Sequence, residues 1–226
     1  MTMSELTVGA AVPVYNGARF IAAALRSVLV QTYRVSDVVV VDDGSGDASG
    51  AVAAGVDPLV RVVRQPHAGI GAARSHAVSL VRAEAVVLLD ADDLLTPRSV
   101  EARMEVLHAR PEIDIVYGQI RSFRELMGDE PLALDEPRPA HTAGAMLVRR
   151  SAFERVGPVR PGLRVAEGLD WLLRAHELGL REATVDEQVQ WRRAHGANNS
   201  LTQRHSMHEF PRALKASLDR RRARSD

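Results

Sequence analysis

The chain has 226 residues, with 29 Lys+Arg, 29 Asp+Glu and no cysteine. Such a length suits one domain with a sizeable core, and the missing cysteines exclude disulfides, Cys-ligated zinc, iron–sulfur clusters and a thiolate nucleophile. The balanced charge argues against a partner held mainly through nucleic-acid phosphates, and with Lys215 as the only lysine, Schiff-base chemistry has a single candidate. Residues 1–7 show no charged and apolar leader pattern. The longest apolar runs, Val38–Val41 and Ala85–Leu89, are strand-sized, so no membrane span is expected and a cytoplasmic location is.

In chain order, residues 8–14 form an apolar run that ends in the turn signal Tyr15-Asn16-Gly17. Phe20, Ile21, Ala24, Leu25, Val28 and Leu29 have helical spacing. Asp37–Val41 reads as a strand closed by Asp42-Asp43-Gly44-Ser45-Gly46, and Leu59–Val63 as another. Gly69–Arg82 reads as a helix, then Ala85–Leu89 as a buried strand that runs into Asp90-Ala91-Asp92-Asp93. Thr96-Pro97 predicts a helix start, with Thr96 as N-cap, running to about His108. Ile113–Tyr117 is a fifth strand. Residues 118–141 mix strand and loop character, His141–Val148 reads as a strand, Ser151–Val156 and Ala166–Leu178 as helices, and 183–191 as extended chain. A basic helical tail spans about 206–224. Its apolar stripe Phe210, Leu214, Leu218 suits packing on the core or on a second copy of the chain, and its charge suits contact with an anionic membrane.

Continuous apolar strands alternating with helices indicate an α/β domain whose sheet is parallel and buried on both faces. In such sheets ligands sit beyond the carboxyl ends of the strands. Polar clusters stand at three of those ends: Tyr15-Asn16, Asp42-Asp43 and Asp90–Asp93. Three carboxylates within four residues suit a divalent cation such as Mg²⁺ or Mn²⁺ or, without one, a solvated acidic loop. Asp42-Asp43 offers acceptors for a base or ribose, and equally ordinary turn chemistry. Arg74 follows Gly69-Ile-Gly71 at a helix start and suits a phosphate or a base carbonyl. The pair is not a dinucleotide fingerprint, since it lacks the third glycine and follows the third strand. His195 sits among Arg192, Arg193, Gly196, Asn198 and Asn199, a setting suited to an anion. Glu167 and Asp170 share a helix face at i and i+3, as general-base candidates or as acidic residues favouring a helix N-terminus.

In this order the segments Val12-Pro-Val-Tyr-Asn-Gly17, Ser27–Tyr33, Val39-Val-Val-Asp-Asp-Gly-Ser45, Gly69–Arg74 and Leu88-Leu-Asp-Ala-Asp-Asp93 resemble the inverting family 2 glycosyltransferases of GT-A fold. The likeness covers residues 7–200. It implies a Rossmann-like, mostly parallel sheet flanked by helices, with residues 1–118 as the nucleotide-sugar half, 119–205 as the acceptor half, and 206–226 as the tail. It further implies that Pro13, Val14, Tyr15, Asn16, Asp43 and Arg74 line the base and ribose pocket and that Asp90 contacts the ribose. Asp92, with His195, would bind Mn²⁺ or Mg²⁺ on the donor diphosphate, and Arg192 or Arg193 would neutralise phosphate. The implied partners are a nucleotide-sugar donor, by default a UDP-sugar, and an acceptor that is a saccharide, lipid, peptide or small metabolite. One departure stands out. The family places Glu-Asp at the start of the acceptor-side helix with Asp as base, whereas this chain has Glu167-Gly168, in a register supported by Arg174. The expectation is a working enzyme with Glu167 or Asp170 as base, the alternative a weak or inactive nucleotide-sugar-binding protein. A nucleotidyltransferase is disfavoured, because Val12–Gly17 lacks a glycine-rich basic loop.

Overall fold

The computed structural model describes residues 6–128, 130–160, 163, 166–195 and 208–223. Asn198 and Asn199 lie outside the described residues, as do the ends of the tail. The donor-side strands are β1 (Val8–Val14), β2 (Val35–Asp42), β3 (Val60–Arg64), β4 (Ala85–Leu88) and the two-residue β5 (Leu94–Leu95). The remaining strands are β6 (Ile115–Met127), β7 (Glu130–Ala133), β8 (Arg138–Ala140), β9 (Leu147–Arg149) and β10 (Glu182–Arg193). They form one sheet in the order β3-β2-β1-β4-β9-β6-β10-β5, with β7 and β8 both pairing β6. The α/β expectation holds, with the sheet more mixed than "mostly parallel". Strands β3, β2, β1 and β4 run parallel, as do β6 and β10, while β9 enters antiparallel between β4 and β6.

The continuous apolar runs follow from burial on both faces. Along β2, Val38 and Val40 face one layer while Val39 and Val41 face the other. The first layer is α1 (Ile21–Leu29) and α4 (Ser99–Ala109), which bury Ile21, Ala24, Leu25 and Val28, and Met104 and Leu107. The second is α3 (Ile70–Leu80), α5 (Arg150–Val156) and α6 (Glu167–Glu177), which bury Ala73 and Ala77, Phe153, and Trp171 and Ala175. A short helix α2 (Ser49–Ala54) and a last helix α7 (Glu209–Arg222) complete the described elements.

Three expectations need correction. Thr96 is not an N-cap: its hydroxyl donates to the Gln188 carbonyl of β10, and α4 begins only at Ser99. Residues 141–148 are not one strand. A 3₁₀ turn at Ala143–Ala145 precedes β9, and the Gln190 side chain lies so close over Gly144 that a Cβ there would meet its amide at 2.4 Å. The tail helix does not dock through Phe210, Leu214 and Leu218: Leu214 and Leu218 are 48% and 53% exposed, and the buried positions are Glu209, Ala213 and Ser217.

Arg103 in α4 is fully buried. Its guanidinium donates to the Ser99 carbonyl (2.9 Å), the Ser99 hydroxyl (2.6 Å) and the Ala145 carbonyl (3.1 Å), and burial pushes its pKa down to about 9. The folded value lies below the unfolded one, so charging this group costs stability at every pH under about 9, and the cost fades as pH rises beyond it. Arg103→Met keeps the volume and removes the charge. It is expected to stabilise the fold by about 2 kcal/mol, or roughly 4–8 °C in thermal midpoint for a chain of this size, read by calorimetry near neutral pH. An unchanged or lower midpoint would show that the three hydrogen bonds outweigh the buried charge.

Candidate active site

The order β3-β2-β1-β4 places a topological switch at the carboxyl ends of β1 and β4, where open α/β sheets bind ligands. Two loops are locked together there. Asn16 takes the left-handed conformation, φ 50°, which Asn tolerates better than most residues. Its backbone N–H donates to Ser45 Oγ (2.9 Å), and its side-chain oxygen accepts from Gly46 N–H (2.8 Å). Gly17 N–H donates to Ser49 Oγ (2.8 Å). Pro13 and Val14 are buried, so within this segment only Tyr15 and Asn16 reach solvent.

Asp43 is 2% exposed. Its Oδ1 accepts from Gln65 Nε2 (2.7 Å) and Ala68 N–H (2.9 Å), and its Oδ2 accepts from Gly69 N–H (2.8 Å). It therefore holds the 65–69 loop in place. That loop presents His67, whose ring stacks on Tyr15 at 4.2 Å between centroids. This exposed aromatic pair at the mouth of the crevice has no counterpart in the sequence reading, which gave His67 no role.

The turn after β4 carries two linked groups. In the first, Arg74 of α3, 4% exposed, donates to Asp90 Oδ1 at 2.7 Å and reaches Glu167 Oε1 at 3.5 Å. It thus ties the β4 turn to the start of α6. Arg74 Nε and Glu167 Oε2 are buried without a hydrogen-bond partner. Burial pushes the Glu167 carboxyl above the usual carboxylate range, with Arg74 opposing that rise. In the second group, His195 Nε2 lies 2.8 Å from Asp92 Oδ2. The Asp90 and Asp92 side chains are 33% and 28% exposed, so both remain open to a ligand.

Behind them stands a brace. Asp93 accepts from Gln190 Nε2 (2.5 Å) and from Arg193 N–H (2.8 Å). Burial, with Asp92 and Asp90 beside it, pushes its carboxyl well above the usual range. The Arg193 guanidinium donates to the Asp92 carbonyl (2.9 Å) and lies over the rings of Phe20 and Phe123, 4.8 and 4.3 Å from their centroids. Arg193 is thus built into the wall, while Arg192 is exposed. Asp93, Gln190, Phe20 and Phe123 were not foreseen as supports. Only Asp93 carried a signal, as the third carboxylate of its cluster.

Asp170 is directed elsewhere. It is 2% exposed and pairs with Arg174 (3.0 Å), Arg160 (3.7 Å) and Arg220 (3.8 Å), inside an arginine cluster under α7. Gly168 faces open space, since a Cβ there would meet nothing within 4 Å, and it lines a small apolar pocket with Arg74, Met146, Phe153 and Trp171.

A carboxylate and an imidazole, both partly open, suit Mn²⁺ or Mg²⁺, which complete their shells with phosphate oxygens and water. Among the described residues no three His, Asp or Glu side chains gather to hold a metal by themselves. Asp92 and His195 are the two side chains here that would hold such a cation, its remaining positions left to other oxygen donors.

Residues 10–167 match the model of a family described as Glycosyl transferase family 2. The glycosyltransferase GlyG of Streptococcus pneumoniae serotype 4 is 30% identical over 131 residues, 56% of this chain and 43% of that protein. An uncharacterised glycosyltransferase of Nostoc sp. is 28% identical over 210 residues, 83% of this chain and 65% of that one. The chain thus spans less than half the length of GlyG. Among solved structures, S. aureus TarS 1–349 in complex with UDP superposes with a TM-score of 0.73 at 16% identity, over 94% of this chain and 65% of that one. The same protein with UDP-GlcNAc gives 0.71 at 18% identity, over 86% and 61%. At such identities the likeness concerns the fold.

Proposed function

The chain belongs to glycosyl transferase family 2, and on that premise we propose that it is a metal-dependent inverting glycosyltransferase, working in the cytoplasm, that moves a sugar from a UDP-sugar to an acceptor hydroxyl. One observation carries this reading: the Asp92–His195 pair and the Arg74–Asp90–Glu167 chain meet on one turn at the switch point of the sheet. In this reading residues 1–118 hold the donor and 119–205 supply the acceptor side. The TarS complexes with UDP and UDP-GlcNAc support the choice of nucleotide.

The chemistry is a single displacement at the anomeric carbon. The acceptor oxygen forms the new glycosidic bond, the bond to the diphosphate breaks, and the acceptor proton passes to Glu167. A carboxyl raised by burial is better matched to that task near neutral pH than an ordinary one. Asp170, neutralised by three arginines, is left as an anchor for α6. Asp90 faces the ribose, and the stacked Tyr15–His67 pair offers a platform for the base. Asp92 and His195 would hold Mn²⁺ or Mg²⁺, which when bound offsets the charge that develops on the leaving diphosphate.

The test is a thermal-shift panel of UDP-, GDP- and dTDP-sugars with and without Mn²⁺. A UDP-sugar at about a hundred times its Kd is expected to raise the midpoint by roughly 5–10 °C only with Mn²⁺, and Asp92→Ala to abolish the shift. No metal-dependent shift with any nucleotide sinks the proposal. Gly168, standing where the family has its base, favours a second reading, donor binding without turnover. Donor hydrolysis that is lost in Asp92→Ala at an unchanged midpoint eliminates it.

A further inference from the structure

Helix α7 is docked with its polar side inward. Ser217 Oγ donates to Glu177 Oε1 (2.6 Å), and Arg220 donates to both Glu177 oxygens (2.7 and 2.8 Å). Ala213 and Ser217 are each only 4% exposed. With this side pinned to α6, helical periodicity brings Pro211, Leu214, Lys215, Leu218, Arg221 and Arg222 onto the outer face, all of them exposed. Arg212 adds a cation at its margin, and Asp219 is the one carboxylate there. The two leucines thus stand in solvent one turn apart, ringed by cations.

We propose that this outer face is a docking surface for an anionic lipid membrane, with Leu214 and Leu218 entering the headgroup boundary and Lys215, Arg212 and Arg222 meeting lipid phosphates. Charge complementarity selects that occupant. A second copy of the chain suits the face poorly. A two-fold contact would set Lys215 and Arg222 against their own copies, and two leucines fall far short of the apolar core of a stable dimer. The inference is independent of the transferase reading, because none of these residues belongs to the proposed site.

Co-sedimentation of the full chain with vesicles tests it, using phosphatidylcholine alone against phosphatidylcholine with a third phosphatidylglycerol. Binding is expected on the anionic vesicles only and is expected to fall with added salt. Lys215→Gln with Arg222→Gln should weaken it roughly 30-fold, the attraction of two surface cations. Leu214→Ser with Leu218→Ser should weaken it at unchanged salt sensitivity. All four positions are exposed, so the thermal midpoints of the variants should match the parent. No binding to anionic vesicles, equal binding to neutral ones, or full binding by both variants overturns the proposal. So does a doubled solution mass that the leucine variant returns to one chain, which would assign the face to a second copy.

Discussion

Glu167→Gln is expected to lower kcat by about 10²- to 10⁴-fold, the range for removal of a positioned general base, while the KM for the donor stays nearly unchanged. The substitution keeps the shape of the side chain and its contact with Arg74 through the amide oxygen. What it removes is the capacity to take a proton, a loss felt only in the transition state. The parent should lose activity as pH falls through the raised carboxyl pKa, and the variant's residual rate should lack that acid limb. Stability carries the same signature with a defined sign. The folded pKa lies above the unfolded one, so the Glu167 contribution is fully present below the unfolded value and is lost as pH rises through the folded one. Denaturant titrations should show a smaller dependence in Glu167→Gln than in the parent, the share of the raised Asp93 carboxyl remaining in both. A kcat within a few-fold of the parent would remove Glu167 from the chemistry.

Arg74→Met is expected to destabilise the fold by about 3 kcal/mol, the lower part of the range for breaking a buried ion pair. The lower part applies because Asp90 keeps a third of its side-chain surface in water, while Glu167 does not. The guanidinium opposes the upward shift of Glu167, so its loss should drive that carboxyl higher and move the acid limb of any remaining activity toward higher pH. The two readouts are separable: the midpoint reports the broken pair, and the pH profile reports the partner left behind. A variant with a lowered midpoint and an unmoved profile would mean that Arg74 supports the fold without governing Glu167.

What was legible in the sequence was local. Strands β1 to β4 and helices α1 and α3 were read nearly to their ends, because strands buried on both faces must be apolar throughout and cannot be mistaken for amphipathic ones, whereas the short α2 and the two-residue β5 were not read at all. Asp90 and Asp92 were singled out by their clustering at a strand end and His195 by its polar neighbours, their roles by the family resemblance. The orientation of the side chains was not legible. Arg74 was read as meeting ligand, and no pattern foretold that it also pairs two carboxylates. Glu167 and Asp170, three positions apart on one helix, differ entirely in surroundings, since one faces Arg74 and the other is enclosed by Arg174 of its own helix together with Arg160 and Arg220. The tail misled for a related reason: its apolar stripe suggested a docked face, but Glu177 and Asp170, remote in sequence, pull Arg220 and the polar side of α7 inward. No pattern within a single helix encodes which of its faces a distant carboxylate will claim.

The brace behind the Asp92–His195 pair decides how the site is lost. Asp93 and Arg193 lie 100 positions apart, as do Asp92 and His195 within three, so nothing local holds the two halves together. Strand β10 carries the distal half, and its pairing with β6 shifts register twice. On its other side, among the described residues, its ladder partners are the two residues of β5, with Thr96 bonded to the Gln188 and Val189 carbonyls, whereas β1 is paired along its length with β2 and along half of it with β4. Opening of the β10–β6 pairing alone would part the two halves without unfolding the donor side. The donor half would then remain a closed, hydrogen-bonded layer that still presents Asp90 and Asp92, but without the imidazole opposite. The approach of His195 to Asp92 thus depends on how β10 is seated against β6, so a change in that pairing, remote from both residues, is expected to part them.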